Sequence, residues 1–454
     1  MDANQSSVLF NLKVRLIRLY GWIIVLKNIF ILLCTLAFLP SIVIASPLTI
    51  EQCIERGLTH NPEILAYNFA VEEADEGINE AWGAFLPTLS ASYNYNNLSN
   101  GNSSERDTDY LDQDSSSFSC RLTQPVFTGL SGINGLKRAR QSMQYRSYEL
   151  LYIKQQLVRN INTSFYSLLH AEQLSERWQE SVQRLEQQCE IAKAWVAQQL
   201  APRLHLLEIE VELSNARHQL IRSNSEKAIA AAQLREYLAL NSSENIQLSG
   251  SIYDDLPEVC IDLADCLDKS LSRPELELSR LNIEMARQDT KIIMARNLPQ
   301  AQIDASWTDY DRDYDESSYG DDKRDYYSVS FNVSIKPFQG GRNLFAWRKQ
   351  RIAVDRLEQQ QARQKNEIIN EVQTRYQQLL ESQARIENAA DTLAEAKEAY
   401  ALASKSAELG VVSLNDLLDV ELRLTRAEIN GIDARYDLCL ASINLQYATG
   451  TAVF

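Results

Sequence analysis

Histidine and glycine are scarce in this 454-residue chain, with four of the first and 15 of the second. His60, His170, His205 and His218 stand far apart, and no nucleophile–base or metal-ligand spacing surrounds them. No Cys-x-x-Cys occurs, which removes a zinc or thioredoxin-type site. Few glycines leave few tight loops to cradle a phosphate. Positive charge is short as well: 45 Lys and Arg against 61 Asp and Glu give a net charge of −16. Such a surface repels a phosphate backbone, so nucleic acid is excluded as a partner. The acidic run Asp311 to Asp325 lacks the glycine and glutamate positions of a calcium-binding loop. No enzymatic activity, cofactor or metal is therefore expected. At 45% apolar and 23% charged residues the chain is of ordinary globular composition. The composition points to long regular elements.

Residues 1–45 read differently from the rest. Lys13, Arg15, Arg18 and Lys27 make a basic front, Ile29 to Leu39 is strongly apolar, and Val43-Ile44-Ala45 fits a cleavage site before Ser46. This is the pattern of a secretory signal peptide. Leu33 before Cys34 does not suit a lipoprotein signal. The six cysteines that follow permit disulfides in an oxidising compartment, but their irregular spacing defines no pairing.

The remainder contains itself twice. Asn61-Pro62-Glu63-Ile64 recurs as Arg273-Pro274-Glu275-Leu276, Leu86-Pro87 as Leu298-Pro299, and Pro125 with Gly129 as Pro337 with Gly341, all at an offset of 212. A period this long exceeds the ~20–50 residues of a solenoid and marks a duplicated domain-sized unit. The units are 46–250 and 251–454.

Each unit repeats one order of elements. A helical segment comes first, Glu63 to Phe85 and Glu275 to Asn297, ended by Leu-Pro. Alternation of period two then predicts strands at 86–97 and 116–126, and at 299–310 and 326–336. In the last, Tyr327, Val329, Phe331, Val333 and Ile335 alternate with Ser328, Ser330, Asn332 and Ser334. One face is apolar and aromatic, the other small and polar, and each run nears the ~9–11 residues of a tilted transmembrane strand. Polar loops, Asn97 to Asp114 and Asp311 to Asp325, join the strands of each pair. Helical hairpins follow at 130–239 and 343–448. Their first arms, about 70 residues at 1.5 Å each, span about 105 Å. Trp178, Val182, Leu185, Cys189, Ala192 and Val196 step by four and three as a coiled-coil seam does.

Four strands cannot close a barrel, and an open edge is not tolerated in lipid. Membrane-embedded strands must then be pooled from several chains; two chains supply eight, whose interior side chains fill, and three supply twelve, enough for a water-filled lumen. For the strands alone the alternative is a water-soluble sandwich with the apolar face as its core. For the whole chain it is a soluble periplasmic coiled-coil adaptor or scaffold, which would contain similar hairpins but not apolar-aromatic strand faces paired with Ser/Asn faces in both copies.

The duplication, the Asn61-Pro62-Glu63-Ile64 and Leu86-Pro87 signatures, Gln124 to Gly129 and above all Glu408 to Ile429 resemble the TolC-like outer membrane efflux proteins. The resemblance covers Pro47 to Thr451. It implies a mainly α fold with a membrane β-barrel portion: a homotrimeric channel-tunnel, in which a twelve-stranded barrel in outer-membrane lipid continues into a periplasmic α-helical barrel. It also implies a passive role in efflux or type I secretion, docked on an inner-membrane transporter through a periplasmic adaptor protein. The family narrows its tunnel at the periplasmic tip with an acidic pair; the matching residues are Asp416 and Asp419, spaced i, i+3 on one helix face. The aromatic and arginine that help hold the family's type member shut are replaced by Ala407 and Val412. By the same analogy Ala201, Pro202 and Arg203, with Gly410, Val411 and Val412, are the adaptor-docking tips.

Overall fold

The computed structural model describes residues 47–98, 113–241, 244, 246–250, 262–314, 322–409 and 411–451. The chain divides into Met1–Pro47 and Leu48–Phe454, and all of the first unit but Pro47 lies outside the described residues. The expected signal peptide, Cys34, Cys260 and Gly410 fall outside them too.

Local chemistry sets the element boundaries. Helix α1 (Ile50–His60) opens with a capping box in which Thr49 and Gln52 bond reciprocally. Asn61 then caps α2 (Pro62–Gly83), and Pro62 in its first turn has the φ a helix start requires. Strands β1 (Thr88–Leu98) and β2 (Gln113–Phe127) follow. Gly129 and Leu130 turn the chain at φ 64° and 71° into α3 (Ser131–Ala197), which has 67 residues and is about 100 Å long. A Cβ on Gly129 would lie 2.6 Å from the Ala295 carbonyl oxygen, so only glycine fits there. Helix α4 (Arg203–Tyr237) runs back along α3.

The second copy repeats this with α5 (Leu263–Ser270), α6 (Pro274–Ala295), β3 (Gln300–Tyr314) and β4 (Asp322–Ser334). Helices α7 (Arg342–Glu408), again 67 residues, and α8 (Leu414–Thr449) complete it. The short helices α1 and α5 were not anticipated; at 11 and 8 residues they are too short for periodicity to reveal. The strands also run further into the polar segments than the alternation indicated. Polar pairs continue the ladder there: Asn97 donates to Asp114 at 2.6 Å, and Lys323 meets Asp311 at 3.2 Å.

All four strands form one antiparallel sheet in chain order, so the β2–β3 ladder joins the two copies. Beneath it the helices form a row: α2 packs on α3, α3 on α6 and α6 on α7. Further along, α3 pairs with α4 and α7 with α8, and α8 also lies along α3. The cores are strung along this length. One gathers Cys53, Ile64, Phe165, Leu234 and Cys439, a second Leu185, Ile209 and Leu418, a third Cys266, Val372 and Leu445. Among the described residues no helix is long and apolar enough to cross a membrane.

Candidate functional site

The sheet is bare on both sides, and its faces differ in kind. Register places Leu89, Leu122, Ala305 and Val329 in one cross-strand row and Ala91, Cys120, Trp307 and Tyr327 in the next. These side chains share a face, as residues two apart must. They are open to the surroundings: Tyr327 is 79% exposed, Val329 78% and Phe331 63%. From Tyr327 to Val333 the band spans about 20 Å of strand. The aromatic row of Tyr93 and Phe118 adjoins Asp309 and Asp325, where the apolar band ends.

The opposite face is polar. Ser92 bonds to Ser119 and Ser306 to Ser328, each at 2.8 Å across neighbouring strands. Asp304 anchors this face: Thr123, Asn332 and Gln302 donate to its carboxylate at 2.7, 2.7 and 2.9 Å, tying β2, β3 and β4 together. Strands β1 and β4 each have one neighbour, so the sheet has two free edges. An apolar face about 20 Å long is stable in lipid and costly in water.

The far ends of the hairpins carry the other expected site. Both turns close with the same bond, Leu200 N to Trp195 O and Val411 N to Ser406 O, each 2.9 Å. Gln199 is left-handed at φ 59° in the first turn. Leu200 and Leu204 flank Ala201, Pro202 and Arg203 and are strongly exposed, as are Leu409 and Val411 in the second turn, whereas Val412 is half-buried. Asp416 and Asp419 are both exposed, opposite the buried Leu414, Leu417 and Leu418. Their surroundings differ. Ser413 caps α8 by accepting from the Asp416 amide at 3.2 Å and donates to its carboxylate at 2.7 Å, so Asp416 also serves the helix start. Asp419 has no polar partner among the described residues.

Two residues beyond Asp419 a buried ion pair joins the hairpins. Arg184 on α3 donates to Glu421 at 2.7 Å and to Thr425 and Glu428 at 3.1 Å, all three on α8. Glu421 is fully buried, and its second oxygen has no partner among the described residues. Burial pushes the Glu421 carboxyl above the ordinary carboxylate range, against the pull of Arg184. Charge and packing reinforce each other here, since Leu414 and Leu418 sit in the core of the first hairpin with Leu185 and Ile209.

The family model described as outer membrane efflux protein matches residues 53–240 and 269–451, one segment in each copy. The chain belongs to this family. Among curated relatives, Outer membrane protein TolC of Salmonella enteritidis is 22% identical over 426 residues, covering 88% of this chain and 81% of the relative. Among solved structures, the Campylobacter jejuni CmeC outer membrane channel is similar at a TM-score of 0.77 and 13% identity, covering 89% of this chain and 86% of that one. The open state of the Neisseria gonorrhoeae MtrE outer membrane channel is similar at 0.72 and 15%, covering 88% of each.

As an outer membrane efflux protein, the chain has a place for its bare apolar sheet: the strands belong in the lipid of the outer membrane. The soluble-scaffold alternative would leave that face in water and is not favoured. The sequence reading missed Arg184 with Glu421. Glu421 falls among the buried positions of a coiled-coil helix, and a charged residue in such a stripe was the available signal. The partner, 237 residues away, could not be read.

Proposed function

We propose that three copies pool their sheets into a twelve-stranded barrel whose polar faces line a water-filled lumen, and that the helical hairpins extend it into the periplasm. The single observation that carries this reading is the four-stranded sheet with an exposed apolar face, an exposed polar face and two free edges. Closure of β4 on β1 of the next copy removes every edge, as lipid requires. The resulting channel-tunnel is passive and performs no catalytic step. It serves efflux or type I secretion, with an inner-membrane transporter choosing the cargo. A periplasmic adaptor docks at the tips, on Ala201, Pro202 and Arg203 and on Gly410, Val411 and Val412. The exposed Leu200, Leu204, Leu409 and Val411 give those tips an apolar surface to offer.

Asp416 and Asp419 form the gate in this reading. Three copies set six carboxylates about a narrow opening, which attracts cations and repels anions. Asp419, free of partners, acts on the lumen, whereas Asp416 divides its carboxylate between the lumen and the cap of α8. The test is planar-bilayer conductance of the purified protein beside its migration on gels before and after heating. A heat-sensitive trimer with cation-selective conductance is the expected result. Extraction from membranes by carbonate alone would refute the barrel. Unchanged cation selectivity in a conducting Asp416→Asn/Asp419→Asn variant would refute the gate.

A further inference from the structure

The two ends of the helix row carry opposite charge. Helix α2 has Glu63, Glu72, Glu73, Asp75, Glu76 and Glu80 and no basic residue in its 22 positions. One side of it, marked by Ile64, faces the core; the opposite side presents Leu65, Phe69, Glu73, Glu76 and Glu80 in one exposed stripe. At the other end, α7 turns Asn343, Gln350 and Val354 toward α6, where Asn343 bonds Asn297 at 2.7 Å and Val354 packs on Ile283 and Ala286. Its opposite side presents Phe345, Arg348, Lys349, Ile352, Arg356 and Arg363. Among the described residues, Glu72, Glu73, Glu76 and Glu80 pair with no base, and Arg348, Lys349 and Arg356 pair with no acid. In a chain of net charge −16, a basic, aromatic-bearing stripe in which only Arg363 has an acid partner, Glu367 at 2.8 Å, is conspicuous.

The duplication shows what such a stripe meets. Inside the chain the first copy joins the second where α3 lies on α6, below the β2–β3 ladder. That joint is polar: Arg138 pairs with Asp289 at 2.6 Å, and Gln141 donates to Glu284 at 3.1 Å. The 212-residue offset makes Glu72 the counterpart of Glu284 and sets α7 in the place of α3. The same step, taken from the second copy of one chain to the first copy of the next, brings α7 against α2. Both helices adjoin the sheet, α2 by its end and α7 by its start, so they run antiparallel. Counted from the sheet, Glu76 and Glu80 then stand level with Phe345 to Lys349, and Glu72 and Glu73 with Ile352 to Arg356.

We infer that the basic stripe of α7 docks on the acidic stripe of α2 of a second copy, and that this charge match selects which edges meet when the ring closes. The inference rests on the ring proposed above and adds the surfaces and the force that seal its helical part. Like charges would face each other if two α2 ends or two α7 ends approached, so head-to-tail closure is favoured over symmetric pairing. Apolar residues interleaved with the charges, Phe69 on one side with Phe345 and Ile352 on the other, exclude water and strengthen the pairs.

The experiment uses the full chain in detergent, with the trimer fraction read by native mass spectrometry. Glu73→Lys/Glu76→Lys/Glu80→Lys, and separately Arg348→Glu/Lys349→Glu/Arg356→Glu, should each lower the trimer fraction about tenfold, and the six-fold combination should restore it to within about twofold. Oxidation of a Glu76→Cys/Lys349→Cys variant should yield covalent trimers, and either single cysteine alone should not. This second readout stands even where a charge reversal prevents insertion. A trimer that ignores both one-sided reversals, or that yields no cross-link, overturns the inference while leaving the ring intact. A wild-type protein that is never trimeric overturns the ring itself.

Discussion

Asn61 and Arg273 hold the same post in the two copies by different chemistry. Each precedes the proline that opens a helix, and each reaches back to the end of a returning helix. The Asn61 amide donates to the Tyr237 carbonyl at 3.0 Å; the Arg273 guanidinium donates to the Ala448 carbonyl at 3.3 Å. Asn61 adds a cap on the Glu63 amide. Arg273 instead pairs with Glu275 and, at 2.7 Å, with Glu371, over the Tyr447 ring. A neutral tie in the first copy has become a buried ionic one in the second.

The two substitutions should therefore differ in cost. Asn61→Ala loses a cap and one carbonyl bond, about 1 kcal/mol. Arg273→Ala strands two carboxylates near the core and should cost roughly 3 kcal/mol or more. Thermal unfolding followed by helical circular dichroism should show the larger drop for Arg273→Ala, and equal drops would contradict the ranking.

Asp416 and Asp419 should separate by experiment. Asp419→Asn alters ion selectivity and leaves the start of α8 intact. Ser413→Ala loosens that start by about 1 kcal/mol without removing a lumen charge. Asp416→Ala does both. Reversal potentials, with amide exchange over residues 414–418, distinguish the three; a selectivity change in Ser413→Ala would count against this division.

Arg184→Met leaves Glu421 buried without its counter-charge and should destabilise the joint between the hairpins by roughly 3 kcal/mol near neutral pH. Burial raises the folded pKa of Glu421 above its ordinary value of 4.5, so its favourable contribution is present below about 4.5 and is lost as pH rises through the raised value. The variant's deficit should shrink as pH falls toward 4.5. A deficit that grows with acidification would reverse the sign and refute the account.

Cys53, Cys189 and Cys439 are buried free thiols, and Cys120 is a half-buried one. Burial raises the Cys53 and Cys439 thiols to about 11, so at neutral pH both are protonated and unreactive. In a Cys260→Ser background, maleimide should leave Cys53, Cys189 and Cys439 unlabelled in the folded protein and label them only on unfolding, while lipid or detergent shields Cys120 on the apolar strand face. Rapid labelling of Cys53 in the folded protein would contradict its place in the core.

Much of this protein was legible because its signals are local or repeated. Proline spacing exposed the duplication, alternation in Tyr327 to Ile335 exposed a strand with an apolar face, and uninterrupted periodicity exposed the long helices. Asp416 and Asp419 were singled out by resemblance alone; both are exposed near the start of the returning helix, and their role as a gate remains the proposal made above. Period and composition survive in one dimension because strands and helices bring residues two, three or four apart onto a common face.

The rest depended on neighbours far along the chain. That β2 pairs with β3, making the junction between copies a continuous ladder, follows from no local pattern. Burial of Glu421 against Arg184, the exchange of Asn61 for Arg273, and the opposite charge of the row's two ends likewise emerge only once helices are laid side by side. Sequence by itself determined the strands and the long helices and that they occur twice, but not the short helices α1 and α5. Tertiary structure decided which charges are buried with partners and which are left for another molecule, because the strength of a charge pair depends on the distance and solvent exclusion that packing creates.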